Sequence, residues 1–473
     1  MKPLIHLFRT PNRCYCYDAV CGQIFIISET SFAYLSELLR GNDIENEPEE
    51  ITQLKNSGFL SNSPVETLRH PYTKYLELML SRKLDHITLQ VTQNCNLRCR
   101  YCIYSESNGK LQRHHSPKKM TWETAKRALD FLWEHSIDSE EMSVSFYGGE
   151  PLLEYPLIKK CIAYSKVRFR GKKLRFNLTT NSTLLTDEMV HYFARNNVDI
   201  MISLDGVKDI NDRNRVFAGG KGTFDTIMHR IHRIREIEPE YAKTVKISMV
   251  MDPSNDFDCI NELTINYCDI EPNALLPAMV EHLDAADPVI YSDTFSNKYS
   301  YQIFLAWLAY LGRYPVEEVS PIAHQALIAE LSLMEKHENT LPLQSIDCPS
   351  GPCVAGHARL FCNVDGNLFP CERVSETSEA MLIGNIFSDI DCEAAKRLTN
   401  VAQTTDEVCK QCWCFRFCVL CAKKADVGTI ELSGNKKLSH CSDSANSAYH
   451  VIMGTILQNE VKEFYSSQIC SPM

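Results

Sequence analysis

Residues 86–102 read HITLQVTQNCNLRCRYC, an apolar run of strand length that leads into three cysteines with the spacing Cys-x3-Cys-x2-Cys. The polar residues between Cys95, Cys99 and Cys102, together with the strand before them, indicate a loop rather than a helix with a stripe of buried cysteines. An iron-sulfur cube uses one thiolate for each iron, so three cysteines leave one iron open to a further ligand. An open metal position is typical of a catalytic site.

Zinc is the competing metal for this motif. A structural zinc site needs a fourth protein ligand and usually takes it from paired Cys-x2-Cys or histidine spacings. The three-cysteine spacing therefore favours an iron-sulfur cluster over zinc.

The composition argues against some classes of protein. The 473 residues include 21 cysteines, and 60 acidic against 49 basic side chains give a net charge of -11. This balance argues against broad binding to nucleic acid, because phosphate backbones attract basic surfaces. With no run of about 18 apolar residues and no signal peptide, we expect no membrane partner. We expect a cytoplasmic protein, in which an odd number of cysteines serves metal binding or catalysis.

Strands and helices alternate on both sides of this motif. The apolar runs HITLQVT, MSVSFYGGE, LRFNLTTN, VDIMISLDG and VKISMVMD have strand length, and amphipathic stretches such as TWETAKRALDFLWEH separate them. Repeated βα units predict an α/β fold with a parallel sheet. Five strands and an expected sixth predict a partial (β/α)6 barrel of the TIM type, in which function lies at the carboxyl ends of the strands. CNLRCRYC, GGEP, TTNS and SLDG all fall at those ends.

The CNLRCRYC loop, followed by GGEP on the next strand, resembles the signature of radical S-adenosylmethionine enzymes. The resemblance implies that the methionine part of S-adenosylmethionine binds the open iron. It also implies that one electron from the cluster cleaves the sulfonium to a 5'-deoxyadenosyl radical, so the cofactor carries the difficult chemistry.

The same resemblance implies roles for residues on the rim. Tyr101 matches the position beside adenine, and Arg215 matches a position for the methionine carboxylate. The strand edge that holds the methionine ammonium corresponds to Gly148, Gly149 and Glu150. The positions on the ribose side correspond to Asn181, Ser203 and Asp205. One departure is Ser182, where the family pattern usually has glycine. Each residue alone is also explained as a surface or turn residue, but their order along one rim favours the functional interpretation.

Residues 1–80 have a different pattern. Two short strands, LIHLF and CGQIFIIS, precede an amphipathic helix in SFAYLSELLRG and a second short helix near Ile51. We predict a small winged-helix-like domain. It serves either as a packing cap or as a peptide-docking unit in which a partner strand joins a sheet edge.

After a barrel region predicted to span residues 81–340, residues 341–473 form a third domain that is rich in cysteine. Its eight spaced cysteines are sufficient for two further cubes with every iron ligated, or alternatively for two zinc sites. They are Cys348, Cys353, Cys371, Cys409, Cys412, Cys418, Cys421 and Cys441.

This third region resembles the SPASM extension of radical enzymes that modify peptides, which implies two auxiliary 4Fe-4S clusters and three clusters in all. The implied ligands are Cys348, Cys353, Cys371 and Cys421 for the first, and Cys409, Cys412, Cys418 and Cys441 for the second. The departures are a two-residue gap before Cys421, where three residues are common, and the additional Cys362 and Cys414. If Cys348 is not a ligand, the first auxiliary cluster has an open iron.

Together these regions resemble the thioether-forming maturases of sactipeptides and ranthipeptides. This implies that the leader of a cysteine-rich precursor peptide binds residues 1–80 while the core of that peptide enters the barrel. It further implies that a hydrogen atom is removed from a peptide carbon, that a cysteine sulfur bonds to this carbon, and that an auxiliary cluster takes up the surplus electron. An electron donor such as flavodoxin or ferredoxin is implied as well. The sequence identifies no base for the thiol.

Three alternatives remain open at this stage. One is another SPASM reaction, either formylglycine formation in sulfatases or carbon-carbon crosslinking of a peptide. The second is a zinc-stabilised peptide-binding protein without catalysis. The third, RNA modification, is disfavoured by the net charge.

Overall fold

A computed structural model of the chain describes residues 2–42, 45–104, 112–267, 269–270, 274–280, 289–337, 341–349 and 353–469. The elements of its N-terminal part are β1 Ile5–Arg9, β2 Cys14–Asp18, β3 Gln23–Ile27, α1 Glu29–Arg40, α2 Glu49–Asn56, β4 Thr67–Leu68 and α3 Leu76–Arg82. The first three strands form an antiparallel sheet of order β1-β2-β3. The two predicted strands and both predicted helices are present.

Helix α1 has a side-chain cap at one end and glycine at the other. Ser28 accepts a hydrogen bond from the Ser31 N-H, and Gly41 takes a left-handed φ of 94° that closes the last turn. These two residues explain why the helix begins at Glu29, two residues before the predicted stretch SFAYLSELLRG, and ends at Arg40.

Strand β2, with the sequence CYCYD, is not predicted by the sequence pattern. All five of its residues are buried, so the alternation of apolar and polar residues that marks a half-exposed strand is missing. Cys14 and Cys16 face helices α1 and α2. Tyr15 and Tyr17 face Phe415 and other apolar residues of the C-terminal region, so both faces of this sheet are covered.

The central part confirms the predicted α/β fold with a mostly parallel sheet. Six strands pair in parallel in the order β5 to β10, and we refer to them and their helices as the barrel. The bounds are β5 His86–Thr92, α4 Trp122–Glu134, β6 Glu141–Gly148, α5 Tyr155–Arg168, β7 Lys173–Thr180, α6 Asp187–Arg195, β8 Val198–Ser203, α7 Lys208–Asn214, α8 Phe224–Ile237, α9 Pro239–Ala242, β9 Lys246–Met251, α10 Phe257–Asn266 and β10 Leu275–Met279.

The barrel strands present different chemistry on their two faces. Apolar residues such as Val144 and Phe146 of β6 are buried in the main hydrophobic core with the helices. The alternate residues Ser143 and Ser145 face a polar cavity inside the barrel. The two-residue period of a strand therefore separates a hydrophobic outer layer from a polar interior.

Two longer helices connect the barrel to the C-terminal region, which consists mainly of short elements. The bounds are α11 Asp293–Tyr310, α12 Pro321–His337, β11 Ile346–Asp347, β12 Phe361–Cys362, β13 Asn367–Phe369, β14 Gly384–Asn385, β15 Asp389–Ile390, α13 Cys392–Thr399, α14 Asp406–Lys410, α15 Gly434–Leu438 and α16 Cys441–Ile469.

Main-chain hydrogen bonds between strands join the C-terminal region to the barrel. Strand β12 pairs in parallel with β5, so β12 to β15 extend the barrel sheet to ten strands. Strand β11 pairs with β4 of the N-terminal part. Among the helices in the described residues, none combines the length and hydropathy that a membrane span requires.

Candidate functional site

A cavity of ≈ 310 Å³ opens at the carboxyl ends of the barrel strands. It is lined by residues of the loop after β5 and of the ends of β6 to β9, as the barrel rule predicts. Ten of the predicted site residues line it: Cys95, Cys99, Tyr101, Cys102, Gly148, Gly149, Glu150, Asn181, Ser203 and Arg215. The remaining predicted rim residue, Asp205, contacts two of these side chains.

The three cysteines of the loop lie close enough to interact electrostatically. Burial raises the pKa of Cys95 to about 12 and that of Cys99 to about 11, and the neighbouring thiols add to both shifts. Cys95 Sγ also accepts a hydrogen bond from the Leu97 N-H at 3.4 Å. Cys102 Sγ lies 4.0 Å from His115 Nε2. Thiols with raised pKa values become ligands only when a metal centre displaces their protons.

Gly148 and Gly149 allow the end of β6 to pack directly on the cysteine loop. A Cβ atom at Gly148 would lie 2.1 Å from the Thr92 carbonyl oxygen, and one at Gly149 would lie 2.0 Å from that of Asn94. The Gly149 N-H donates to the Thr92 oxygen at 2.9 Å. No other residue fits at either position without moving the backbone.

Glu150 is a buried carboxylate that joins the ends of β6 and β7. It accepts hydrogen bonds from Thr180 Oγ1 at 2.6 Å, from the Asn181 N-H at 2.8 Å and from the Leu152 N-H at 3.0 Å. Burial raises its pKa although these bonds act in the opposite direction. A cation in the adjoining cavity would stabilise the charged form.

Asn181 connects β7 to the cysteine loop. Its amide nitrogen donates to Asn96 Oδ1 at 2.9 Å, and its oxygen accepts from the Thr183 N-H at 3.0 Å. The next residue, Ser182, is fully buried with a left-handed φ of 57°. This conformation explains why glycine is usual at the position in the family pattern.

Tyr101, Asp205 and Arg215 form one buried cluster. The Tyr101 hydroxyl donates to Asp205 Oδ2, and Arg215 Nε donates to the same oxygen at 2.8 Å. The Val250 N-H donates to Asp205 Oδ1 at 3.0 Å, which fixes the carboxylate against β9. Residues predicted to contact adenine, ribose and the methionine carboxylate are thus bonded to one another here.

A second cavity, of ≈ 410 Å³, lies inside the barrel. Tyr147 and Thr179 line both cavities, so the two adjoin. The second cavity is lined mainly by polar residues of the strands, namely His86, Thr88, Ser143, Ser145 and Asn177, and by the ion pair of Arg359 with Glu372. This cavity is not among the predicted features, although the alternation of polar and apolar residues along β6 and β7 is a signal for it.

The C-terminal cysteines fall into two sets. Cys353, Cys371 and Cys421 interact electrostatically with one another, whereas the electrostatic neighbour of Cys348 is Asp347. In the second predicted set, Cys412, Cys418 and Cys441 all interact electrostatically with the additional Cys414. The Cys414 Sγ lies 3.3 Å from Cys412 Sγ. The other additional residue, Cys362, is buried in β12 beside the Asn363 carbonyl.

Within the described ranges, no three or more histidine, cysteine, aspartate or glutamate residues are arranged around a single ion position. A 4Fe-4S cube does not need several ligands around one ion position, because each of its thiolates binds a different iron atom. The three loop cysteines line one cavity together with Gly148, Gly149 and the buried Glu150, and this set of residues fits a cluster with one open position.

Residues 89–263 match the family model of the radical SAM superfamily. This match includes most of the barrel and less than half of the chain. The chain is similar to the cysteine-type anaerobic sulfatase-maturating enzyme of Clostridium novyi (strain NT), with 30% identity over 34% of this chain and 42% of the relative. It is similar to the radical SAM cyclopropyl synthase TigE of Paramaledivibacter caminithermalis, with 29% identity over 38% of each chain.

The fold extends this similarity beyond the barrel. The solved structure of native anSMEcpe with bound AdoMet superimposes with a TM-score of 0.56 and 18% identity, covering 80% of this chain and 99% of that one. By sequence, the chain spans less than half of the length of both curated relatives named above.

Proposed function

We propose that this protein is a radical S-adenosylmethionine enzyme that forms thioether crosslinks, from cysteine sulfur to carbon, within a ribosomally made cysteine-rich precursor peptide. The observation that carries the proposal is the rim cavity, in which three cysteines of one loop face a glycine-lined strand end. The relatives named for maturation of sulfatases support a peptide or protein substrate.

In this proposal Cys95, Cys99 and Cys102 hold the 4Fe-4S cluster that binds S-adenosylmethionine. The bound cofactor supplies a 5'-deoxyadenosyl radical that removes a hydrogen atom from carbon. Glu150 provides a negative charge beside the ammonium of the methionine part, and the glycine-lined edge leaves room for it. Arg215 lies at the cavity wall, where its guanidinium offers hydrogen bonds to the carboxylate.

The second cavity offers a place for the peptide residue that reacts. It adjoins the cofactor cavity at Tyr147 and Thr179, so a substrate carbon there would lie beside the radical source. His86 and the Glu372 carboxylate are hydrogen-bonding groups within it, and one oxygen of Glu372 is buried without a partner. We assign no residue as the base for the thiol.

The electron balance assigns a role to the C-terminal cysteines. Forming one thioether removes one hydrogen from carbon, as an atom, and one from sulfur, as a proton and an electron. Two auxiliary clusters on the predicted ligand sets would accept that electron, and a flavodoxin or ferredoxin would supply the electron that starts each turnover. If Cys348 is not a ligand, the first auxiliary cluster would have an open iron at which a substrate thiolate could bind.

The N-terminal sheet supports the proposed docking of a leader peptide. Strand β3 is an edge strand in the described sheet, and Ile26 on it is 53% exposed. An edge strand offers unpaired main-chain groups to an extended peptide.

A second candidate function is formylglycine formation or another peptide oxidation of the SPASM type. The observation that favours it is the similarity to a sulfatase-maturating enzyme. TigE is named for a further reaction, the formation of a cyclopropyl group.

One experiment separates these products. Reconstituted protein is incubated without oxygen with S-adenosylmethionine, dithionite and any cysteine-rich peptide that is found to be encoded beside its gene. A thioether lowers the peptide mass by two hydrogens and removes one thiol that iodoacetamide can alkylate. A carbon-carbon crosslink lowers the mass equally but leaves every thiol, and formylglycine adds an aldehyde that a hydrazide labels. Unchanged thiol counts in a modified peptide would overturn the thioether assignment.

A further inference from the structure

Lys437 of helix α15 is a buried lysine beside the second set of C-terminal cysteines. It is 1% exposed, although lysine is rarely buried unless an opposite charge is present. Its Nζ donates to Thr405 Oγ1 at 2.8 Å and lies 3.3 Å from Cys409 Sγ. In the described part of the chain, no carboxylate forms an ion pair with it.

The charge of Lys437 acts on several of these cysteines. The Lys437 ammonium lies close enough to Cys412 to interact with it electrostatically. It interacts in the same way with Cys441. With the direct contact to Cys409, three of the four predicted ligands of the second auxiliary cluster are under the influence of one ammonium group.

An unpaired ammonium in this position has a high desolvation cost, because transfer of a charge from water into a protein interior is unfavourable without a partner. Four thiolates around an iron-sulfur cube carry a net negative charge, which increases by one when the cube is reduced. A cube on these cysteines would therefore be the missing partner of Lys437. The same interaction is stronger in the reduced state than in the oxidised state.

We propose that Lys437 raises the reduction potential of the second auxiliary cluster by donating a charged hydrogen bond to the Cys409 thiolate, and so makes this cluster the better electron acceptor. The inference rests on the proposed function, which supplies the cluster and the electron. Net charge and hydrogen bonds to the sulfurs are known to set the potentials of such clusters. Lys437 acts through the cluster and is a positioning residue, not a catalytic one.

The test is a potentiometric titration, monitored by electron paramagnetic resonance, of the full chain carrying Cys95→Ala, Cys99→Ala and Cys102→Ala. This background leaves the two auxiliary clusters. Lys437→Met and Lys437→Gln remove the charge, and Lys437→Arg retains it. Lys436→Met is the matched control, because Lys436 is adjacent on the same helix but donates to the Asp426 carbonyl.

We expect the reduction potential of one of the two auxiliary clusters to fall in both neutral variants. The expected fall corresponds to about a tenfold decrease in the equilibrium constant for reduction, which is 59 mV for one electron. The other potential should not move, and Lys437→Arg and Lys436→Met should match the parent. A potential unchanged in a variant that retains its iron would overturn the inference. Loss of the cluster from both neutral variants would also overturn it, because Lys437 would then serve folding.

Failure of the auxiliary-cluster assignment, on which the inference rests, gives a different result in the same experiment. If the parent background itself holds no iron-sulfur cluster, the predicted auxiliary set is wrong and Lys437 has no cluster to act on. If the parent holds two clusters and only the shift is absent, the auxiliary-cluster assignment is unaffected and the role of Lys437 is refuted.

Discussion

Ser182 shows how one backbone angle explains a departure from the family pattern. A non-glycine residue at a φ of 57° pays a conformational cost, and the Ser182 hydroxyl is buried without a hydrogen-bond partner in the described structure. We expect Ser182→Gly to stabilise the protein by about 1 kcal/mol, measured by urea unfolding followed through tryptophan fluorescence. Ser182→Ala is the control, since it removes the hydroxyl but keeps the unfavourable angle. Equal stability of the two variants would contradict this explanation.

Most residues of the candidate site are predictable from the sequence because each follows directly after a strand. The positions of Cys95, Gly149 and Asn181 on one rim follow from the parallel sheet. Their individual bonds do not follow, since the carboxylate of Glu150 bonds to β7 and Asp205 bonds to Tyr101. The burial of Lys437 cannot be predicted from the sequence either, because a lysine in a polar stretch usually indicates a solvated surface.

At the scale of elements, the strands with strong apolar runs are predictable and the others are not. Five of the six barrel strands agree with the apolar runs of the sequence. The expected sixth strand, to which no stretch of sequence is assigned, is Leu275–Met279. Strand β2 lacks alternation because it is covered on both faces. Strand β12 has only two residues, and its pairing with β5 depends on a contact about 270 residues away in the chain.

The edge strand β3 gives a prediction for leader binding. Ile26→Lys places a charge on an exposed edge position, which disfavours the addition of a further strand. We expect the precursor peptide to bind about tenfold more weakly, a loss of about 1.4 kcal/mol, measured by fluorescence anisotropy. Val167→Lys, on an exposed position of α5, is the control. Unchanged affinity of the Ile26 variant would contradict docking at this edge.

The polar interior formed by β5, β6 and β7 gives a second prediction. Ser145→Phe should fill part of the second cavity and displace the substrate, lowering peptide modification by about 100-fold. Release of 5'-deoxyadenosine without peptide should persist, because the cofactor cavity is lined by other residues. Ser145→Ala, which leaves the space open, is the control, and mass spectrometry of the peptide gives the readout. Full modification by the phenylalanine variant would place the substrate elsewhere.

At the scale of the whole molecule, the first and last parts of the chain hold each other in place. The buried Arg416 guanidinium donates to the carbonyl oxygens of Ala19, Val20 and Leu341 at 2.7 to 2.8 Å. The sheet of the N-terminal part shares a hydrophobic core with α16, whose Ile452 and Ile456 are buried. A leader peptide bound at β3 would therefore be attached to the same framework that carries the second set of C-terminal cysteines.

The central claim is that the loop cysteines hold a cluster whose open iron binds S-adenosylmethionine. Its most direct test compares the protein with the variant carrying Cys95→Ala, Cys99→Ala and Cys102→Ala, both reconstituted with iron and sulfide and reduced with dithionite. The measurement is 5'-deoxyadenosine released from S-adenosylmethionine, with iron content determined in parallel. We predict release by the parent protein and none by the variant, which retains the iron of the auxiliary clusters. Equal release by the variant, or a parent protein that binds zinc and releases none, would contradict the claim.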